Sequence, residues 1–278
     1  MDIQTFWQRY RSAERSFCSI HLKSADFYQA NLSGLDFRRS HLSKSSLIWA
    51  DISGAIFTGT HLQDTVAIWL QGFWADLAEA DVSRADWSCA NLTAANLERA
   101  NFAQAKLNGA TLSEVSAQDA NFAKAQLWGA WAAKADFSGA CLAQTNWATA
   151  QLTETQLTMA DVSWSNLSQV LGRKANFTAT CLEGSNLSHG NFTEACFRSA
   201  DLTATNLQGA CLQRANLQNA DLRSADLTDA KLSGADLTGA NLQGVTLTNT
   251  LLTDAIGISR NRQDPTEYLP DVAVPAFR

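Results

Sequence analysis

Apolar residues recur at a strict period of five along most of the chain. The clearest stretch is residues 215–244, which reads ANLQN ADLRS ADLTD AKLSG ADLTG ANLQG. An α-helix repeats its apolar residues about every 3.6 positions and a half-buried strand every second position. A period of five fits neither element, so it predicts a chain that makes the same turn once per five residues. Such a chain winds into a solenoid.

The period of five holds from Phe17 to Leu252 without an insertion. Steps of five from Phe17 give 48 central positions, of which 43 are Leu, Phe, Ile, Val or Trp. The position two residues earlier is Ala in 29 of the 48 repeats. The central positions without a large side chain are Ala67, Gly72, Ala117, Ala132 and Gly172. The unbroken register predicts one continuous core made of large central residues and small residues beside them.

The six tandem copies in residues 215–244 resemble the pentapeptide-repeat family of the cyanobacterial type, whose motif is Ala-(Asp/Asn)-Leu-X-X. The resemblance implies an all-β fold, a right-handed quadrilateral β-helix. In that fold four pentapeptides make one square coil, and the central and small residues point inward. The 48 repeats would then form about 12 coils, a rod roughly 58 Å long at a strand spacing of about 4.8 Å.

Residues 1–15 are expected to form an N-terminal capping helix. A single apolar stripe at i, i+3, i+4 and i+7 is formed by Ile3, Phe6, Trp7 and Tyr10. Asp2 is in position to cap the helix N-terminus. Because an open solenoid has bare strand edges, we expect this helix to cover the first coil. A membrane-surface helix is the alternative, although such helices usually carry a broader basic face.

The β-helix is expected to span residues 16–254. All three prolines lie in residues 255–278, and proline interrupts strand pairing. We therefore predict a C-terminal cap, with Ile256 and Ile258 covering the last coil, followed by a Pro-containing tail. The apolar part of that tail, residues 268–277, either folds back on the rod or docks on a partner.

Residues 20 positions apart stack in a column if one coil has 20 residues. This places eight aromatic and branched side chains in one region, to which Val66 and Leu70 add further apolar surface. The eight are the candidate partner-binding residues: Ile48, Trp49, Ile68, Trp69, Phe73, Trp74, Trp128 and Trp131. Exposed apolar patches and tryptophan are typical of protein interfaces. The alternative is that these tryptophans pack inward, where Gly72, Ala132 and Gly172 leave space. Trp87 and Trp147 occupy central positions and are predicted to lie in the core.

A second column contains His21, His41 and His61, followed by Asp81. We interpret it as an exposed histidine ladder. Such a ladder could respond weakly to pH, because neighbouring imidazolium ions repel each other. Two rings could converge on one ion, but we predict no metal site.

Composition narrows the function further. The net charge is −6 and the pI about 5.2, which speaks against a basic nucleic-acid groove. The longest apolar run, residues 66–70, is far too short for a membrane span, and no secretory signal is recognisable. Six cysteines without metal-binding spacing are typical of a reducing cytoplasm.

No nucleophile elbow, P-loop or dinucleotide fingerprint occurs, so we expect neither an enzyme nor a cofactor. The sequence favours a non-enzymatic scaffold, assembly factor or regulator that binds a protein through its Trp-rich face. The family resemblance makes a photosynthetic or developmental regulatory complex the partner class. The alternative is a DNA-mimic inhibitor or protector of DNA gyrase, for which the acidic residues would have to form a continuous stripe. They spread over all four faces instead.

Overall fold

The computed structural model describes residues 1–258. Within them a helix, α1 (Ile3–Arg11), precedes a β-helix whose strands consist of single bridge residues. A bridge residue occurs at every fifth position from Ser16 to Ile256, and each one as far as Asp236 pairs in parallel with the residue 20 positions later. Four pentapeptides therefore complete one coil. No helix in the described residues has the length and apolarity needed to cross a membrane.

Each pentapeptide is one strand position followed by one turn. In the second repeat the Leu22 amide donates to the His41 carbonyl of the next coil at 2.8 Å, and the Ala25 amide closes the turn on the Leu22 carbonyl at 3.3 Å. The last turn residue, Ser24, has φ 59°. This backbone geometry recurs along the rod because the turn requires a positive φ at its third residue, as a type II turn does.

The recurrence of Asp and Asn at bridge positions has a local cause. The amide two residues later is not part of the ladder, and the side chain of the bridge residue accepts its hydrogen. Asp51 Oδ1, for example, accepts from the Ser53 amide at 2.9 Å. This is the Asx-turn chemistry that makes Asp and Asn common in turns.

The core lies along the rod axis and consists of central and small positions. Phenylalanines of successive coils stack, as Phe37 does on Phe57 at 5.1 Å between ring centroids. Where the small position is Ser or Thr, its buried hydroxyl donates to a carbonyl, as Ser45 does to Leu22 at 3.2 Å. Burying each large central side chain contributes about 1.5–3 kcal/mol before conformational entropy is subtracted.

The space above small central residues is filled from neighbouring coils. A Cβ added to Gly72 would lie 2.9 Å from Leu92 Cδ2 and 3.3 Å from Ile52 Cγ1. A Cβ added to Gly172 would lie 2.8 Å from Phe192 Cδ1. Large neighbours therefore occupy the volume that a central leucine would fill, and no inward tryptophan is needed there.

Helix α1 packs its apolar stripe against the first coils. Phe6 is fully buried, with its ring centroid 4.5 Å from that of Phe17 and 5.3 Å from that of Phe27. Asp2 caps the helix by accepting from the Thr5 amide at 2.7 Å. Aromatic pairs at this separation are favourable, so the contact holds the helix against the first coils.

The C-terminal end differs in part from the expectation. Ile258 packs against the core, but Ile256 is a bridge residue paired with Asp236 and its side chain is 56% exposed. Ladder pairing therefore continues two residues past Asp254, and the prediction that Ile256 covers the last coil is wrong. The tail expected at residues 268–277 lies outside the described residues.

Candidate partner-binding surface

One corner of the rod carries stacked tryptophans. Ile48, Trp49, Ile68 and Trp69, here called the tryptophan corner, occupy equivalent turn positions in two successive coils. The indole rings of Trp49 and Trp69 stack with centroids 5.4 Å apart and planes 11° apart. Trp49 is 50% exposed and Trp69 46%, while the two isoleucines are half-buried at their base. The corner therefore presents two stacked, half-exposed indole rings.

The backbone at this corner is unfavourable for tryptophan. Trp49 has φ 58° and Trp69 has φ 62°. A positive φ favours Gly or Asn and is uncommon for bulky side chains. Glycine occupies the equivalent position in other repeats, for example Gly34 with φ 65°. The fold therefore does not require tryptophan at these positions.

The other four predicted residues lie nearby but do not join this stack. Trp74 is 70% exposed and its ring contacts that of Phe73, which is half-buried, at 5.8 Å between centroids. Trp128 and Trp131 lie three coils further along the rod and are 56% and 57% exposed. Within residues 1–258, neither ring contacts the other tryptophan rings. The eight residues thus form separate groups on adjoining corners and faces.

The inward-packing interpretation is wrong for these tryptophans, since all five are about half exposed or more. Val66 lies at the surface, but Leu70 is fully buried, and its assignment to the patch is also wrong. Leu70 occupies the small position beside Gly72, so the large and small residues of this repeat have exchanged places. Trp87 and Trp147 are buried, as predicted, and Trp87 Nε1 donates to Thr65 Oγ1 at 3.0 Å.

Sequence reasoning missed five exposed apolar residues: Tyr28, Met159, Trp164, Leu171 and Leu251. Tyr28 stands one coil before Ile48 in the same column, and the 20-residue spacing could have found it. Trp164 shares the turn position and positive φ of the corner tryptophans, with φ 57°, but lies on another corner. Leu171 lies two coils from Trp131 in one bridge column.

The three column histidines stack as predicted. The rings of His21 and His41 lie 4.4 Å apart, and those of His41 and His61 lie 4.3 Å apart. Partial burial and then the neighbouring His61 and His21 lower the pKa of His41 below its ordinary value. In residues 1–258, no group of three or more His, Cys, Asp or Glu side chains has the arrangement of a metal site.

Comparison with known sequences identifies the repeats. The model of the pentapeptide repeats family matches eight copies, covering residues 20–59, 75–113, 95–130, 133–169, 173–209 and 210–249. The internal stretches left unmatched are residues 60–74, 131–132 and 170–172. They contain Trp69, Trp131 and Leu171 respectively, all exposed. A search of curated proteins gives no significant match.

Solved structures give a similar result. HetL, a pentapeptide repeat protein of the cyanobacterium Nostoc sp. strain PCC 7120 that is involved in heterocyst differentiation regulation, is 27% identical, with a TM-score of 0.50. That match covers 92% of this chain and 97% of HetL. Rfr23 of the cyanobacterium Cyanothece 51142 is 39% identical over 30% of this chain and 56% of its own, with a TM-score of 0.29. QnrB1, a plasmid-mediated fluoroquinolone resistance protein, is 20% identical over 83% and 92%, with a TM-score of 0.30.

Proposed function

The chain belongs to the pentapeptide repeat family, whose members form right-handed β-helices, and from that premise we propose that it is a regulator or scaffold that binds a protein partner through the tryptophan corner. The rod is the rigid support, and the corner with the adjoining Phe73 and Trp74 is the contact surface. Trp128 and Trp131 extend the contact along the rod for a partner that spans several coils. The regulatory role of HetL supports the regulator class.

The observation that carries the proposal is a stacked pair of exposed tryptophans at turn positions where the fold does not require them. Trp49 and Trp69 add exposed apolar area at a positive φ, where Gly or Asn would suit the turn better. They stack on each other without filling the core. Residues that do not serve the fold and expose large aromatic area are typical of binding hot spots.

The test replaces the tryptophans without straining the turn. In the double variant Trp49→Asn and Trp69→Asn, each new residue tolerates the positive φ. Affinity purification from the source organism, with quantitative mass spectrometry, compares this variant with the wild type and with Trp164→Asn. The control removes an exposed tryptophan in the same backbone conformation on another corner.

A partner that is retained by the wild type and by Trp164→Asn but lost from the double variant supports the proposal. Retention by all three proteins would remove the tryptophan corner as the binding surface. Circular dichroism and thermal melting show whether each variant is folded, so that a loss of binding is not confused with unfolding.

We further propose that the protein has no catalytic activity and works in the reducing cytoplasm. All six cysteines are free thiols, in keeping with that compartment. The acidic bridge residues are partly neutralised, as where Asp86 pairs with Lys106 at 3.4 Å and Asp221 with Arg223 at 2.7 Å. We therefore expect no inhibition in a gyrase supercoiling assay, whereas inhibition at micromolar concentrations would favour the DNA-mimic alternative.

A further inference from the structure

One face of the rod changes its charge along its length. Its bridge residues, here called the histidine–aspartate column, run in a single parallel ladder: His21, His41, His61, Asp81, Asn101, Asn121, Cys141, Asp161, Cys181, Asp201, Asp221 and Asn241. The N-terminal end of this column is basic when the histidines are protonated. The C-terminal end carries the neighbouring carboxylates of Asp201 and Asp221.

The basic end is a compact stack. His21, His41 and His61 lie 4.3–4.4 Å apart, ring to ring, with planes within 18°. The turns that follow His21 and His41 add Lys23 and Lys44. Positive charges so close together repel each other, and this repulsion opposes protonation of the stack. A carboxylate that approaches the stack offsets the repulsion and favours protonation.

The acidic end presents the complementary charge at the same spacing. Asp201 and Asp221 are ladder neighbours on the same face, so they repeat with the coil spacing that separates the histidines. Asp201 accepts from the Thr203 amide at 2.9 Å and Asp221 from the Arg223 amide at 3.1 Å. These turn hydrogen bonds use Oδ1. Asp201 Oδ2 remains available to a partner, whereas Asp221 Oδ2 also pairs with Arg223 at 2.7 Å, so a histidine opposite Asp221 competes with that arginine for the carboxylate.

We propose that this face binds a second copy of the chain in antiparallel orientation, with the histidines of one copy opposite the aspartates of the other. A twofold axis across the rod keeps each column opposite itself and reverses its direction, so every contact is made twice. The equal coil spacing lets successive pairs meet along the interface. Charge complementarity favours a second copy, because the chain carries histidines and carboxylates at the same coil spacing in one column.

One register of the two copies avoids contacts between carboxylates along the whole column. With His41 opposite Asp221, the remaining pairs are His21 with Asn241, His61 with Asp201, Asp81 with Cys181, Asn101 with Asp161, and Asn121 with Cys141. No two carboxylates face each other in this register. A slip of one coil in either direction sets Asp81 opposite Asp161 or Asp201, which is unfavourable for like charges.

The flanking turns are compatible with the same register. Lys44 comes opposite Ser224, and Arg84 comes opposite Gly184. On the other corner, Met159 lies opposite Arg99 and Arg39 opposite Asn219. No like charges meet at these positions. The turns therefore add no like-charge contact to this register at these positions.

The association should strengthen as the pH falls towards 6. Opposing carboxylates raise the histidine pKa in the pair, so pairing is favoured below the free histidine pKa and is lost as pH rises through the raised pKa. The charged groups on or beside the stack are Lys23, Arg39, Lys44, Asp64, Asp81 and Arg84. Asp64 is already paired with Arg84 at 2.8 Å, and Asp81 accepts from Gln63 at 2.6 Å.

Sedimentation velocity of the full chain tests the proposal. We expect a monomer near pH 8 and a dimer near pH 6, with Kd falling roughly tenfold or more between them and rising at about 0.5 M salt. One charge variant carries His41→Glu and His61→Glu, the other Asp201→Lys and Asp221→Lys. Each alone should stay monomeric, and an equimolar mixture should form a heterodimer near pH 8 as well as near pH 6.

The control variant is Asp226→Lys, which reverses a bridge carboxylate on another face. It should dimerise like the wild type. A wild type that stays monomeric near pH 6, or a dimer that persists in both charge variants, would overturn the proposal. The tryptophan corner lies away from this face, so Trp49→Asn with Trp69→Asn should leave the dimer intact. Loss of the dimer in that variant instead would assign self-association to the corner.

Discussion

Residues 60–74 and residues 215–244 have the same backbone but different side-chain patterns. Both keep the bridge every fifth residue and the positive φ in each turn. The later stretch repeats Ala and Leu without exception and lies within one continuous family match. The earlier stretch is unmatched, exchanges large and small residues at Leu70 and Gly72, and exposes Trp69 and Trp74.

The comparison separates what the fold needs from what it tolerates. Ladder bonds are made by the backbone, so side chains can change without an insertion, provided that the core stays full. Regular repeats are therefore informative about stability and uninformative about function. The irregular repeats add exposed tryptophans that the fold does not need. A binding function specific to this protein is therefore most readily assigned to them.

The largest effect is expected from the regular stretch. Leu222 is fully buried, and Leu222→Ala should lower the free energy of unfolding by about 2–5 kcal/mol through lost burial and a cavity. Urea unfolding followed by circular dichroism measures it. An effect below about 1 kcal/mol would mean that this repeat collapses around the cavity and that the regular stretch is less rigid than proposed.

The irregular stretch should respond to the opposite change. Gly72→Leu adds a side chain where Leu92 and Ile52 already fill the space, and should cost about 1–3 kcal/mol. Adding Leu70→Ala restores the regular pattern and should recover part of that loss. Strictly additive effects in this double-mutant cycle would contradict the exchange of positions described above.

Exchange of turn residues between the two regions should have a smaller effect. Asn219 has φ 56°, and Asn219→Trp should destabilise the regular stretch by about 1 kcal/mol. Trp69→Asn removes both strain and ring stacking, so the stability should stay within about 1 kcal/mol of the wild type. Thermal melting compares the two variants. A large loss for Trp69→Asn would show that the corner stabilises the fold.

The smallest expected effect is the dependence of the protein's stability on pH. The pKa of His41 is lowered in the folded chain, so the unfolded chain binds its proton more readily and stability falls as pH drops below the ordinary histidine range. The side chain is partly exposed, so the loss should be below about 1 kcal/mol after solvent screening. Melting of dilute monomer from about pH 8 to 5 should show a shallower decline for His41→Asn. Equal slopes for the wild type and His41→Asn would contradict the attribution of this pH dependence to His41.

The period of five was enough to predict a solenoid, because a strict repeat leaves one regular backbone. The resemblance of residues 215–244 to the pentapeptide-repeat motif supplied the family, the β-helix and the inward direction of the central residues. The direction of the surface tryptophans could not be predicted, since Gly72 allowed an inward ring until Leu92 and Ile52 were seen to fill the space. Leu70 was misplaced because it was grouped with its neighbour Trp69, although its register position, two residues before Gly72, is one that points inward. Ile256 was misplaced because pairing continued beyond the last regular repeat.

Hydroxyl-radical footprinting of the complex with the recovered partner tests the central claim most directly. Trp49 and Trp69 are half exposed and should react in the free protein, whereas the buried Trp87 and Trp147 should not. In the complex we predict protection of Trp49 and Trp69 with Trp164 unchanged. Undiminished labelling of Trp49 and Trp69 in the complex would contradict the assignment of the tryptophan corner as the binding surface.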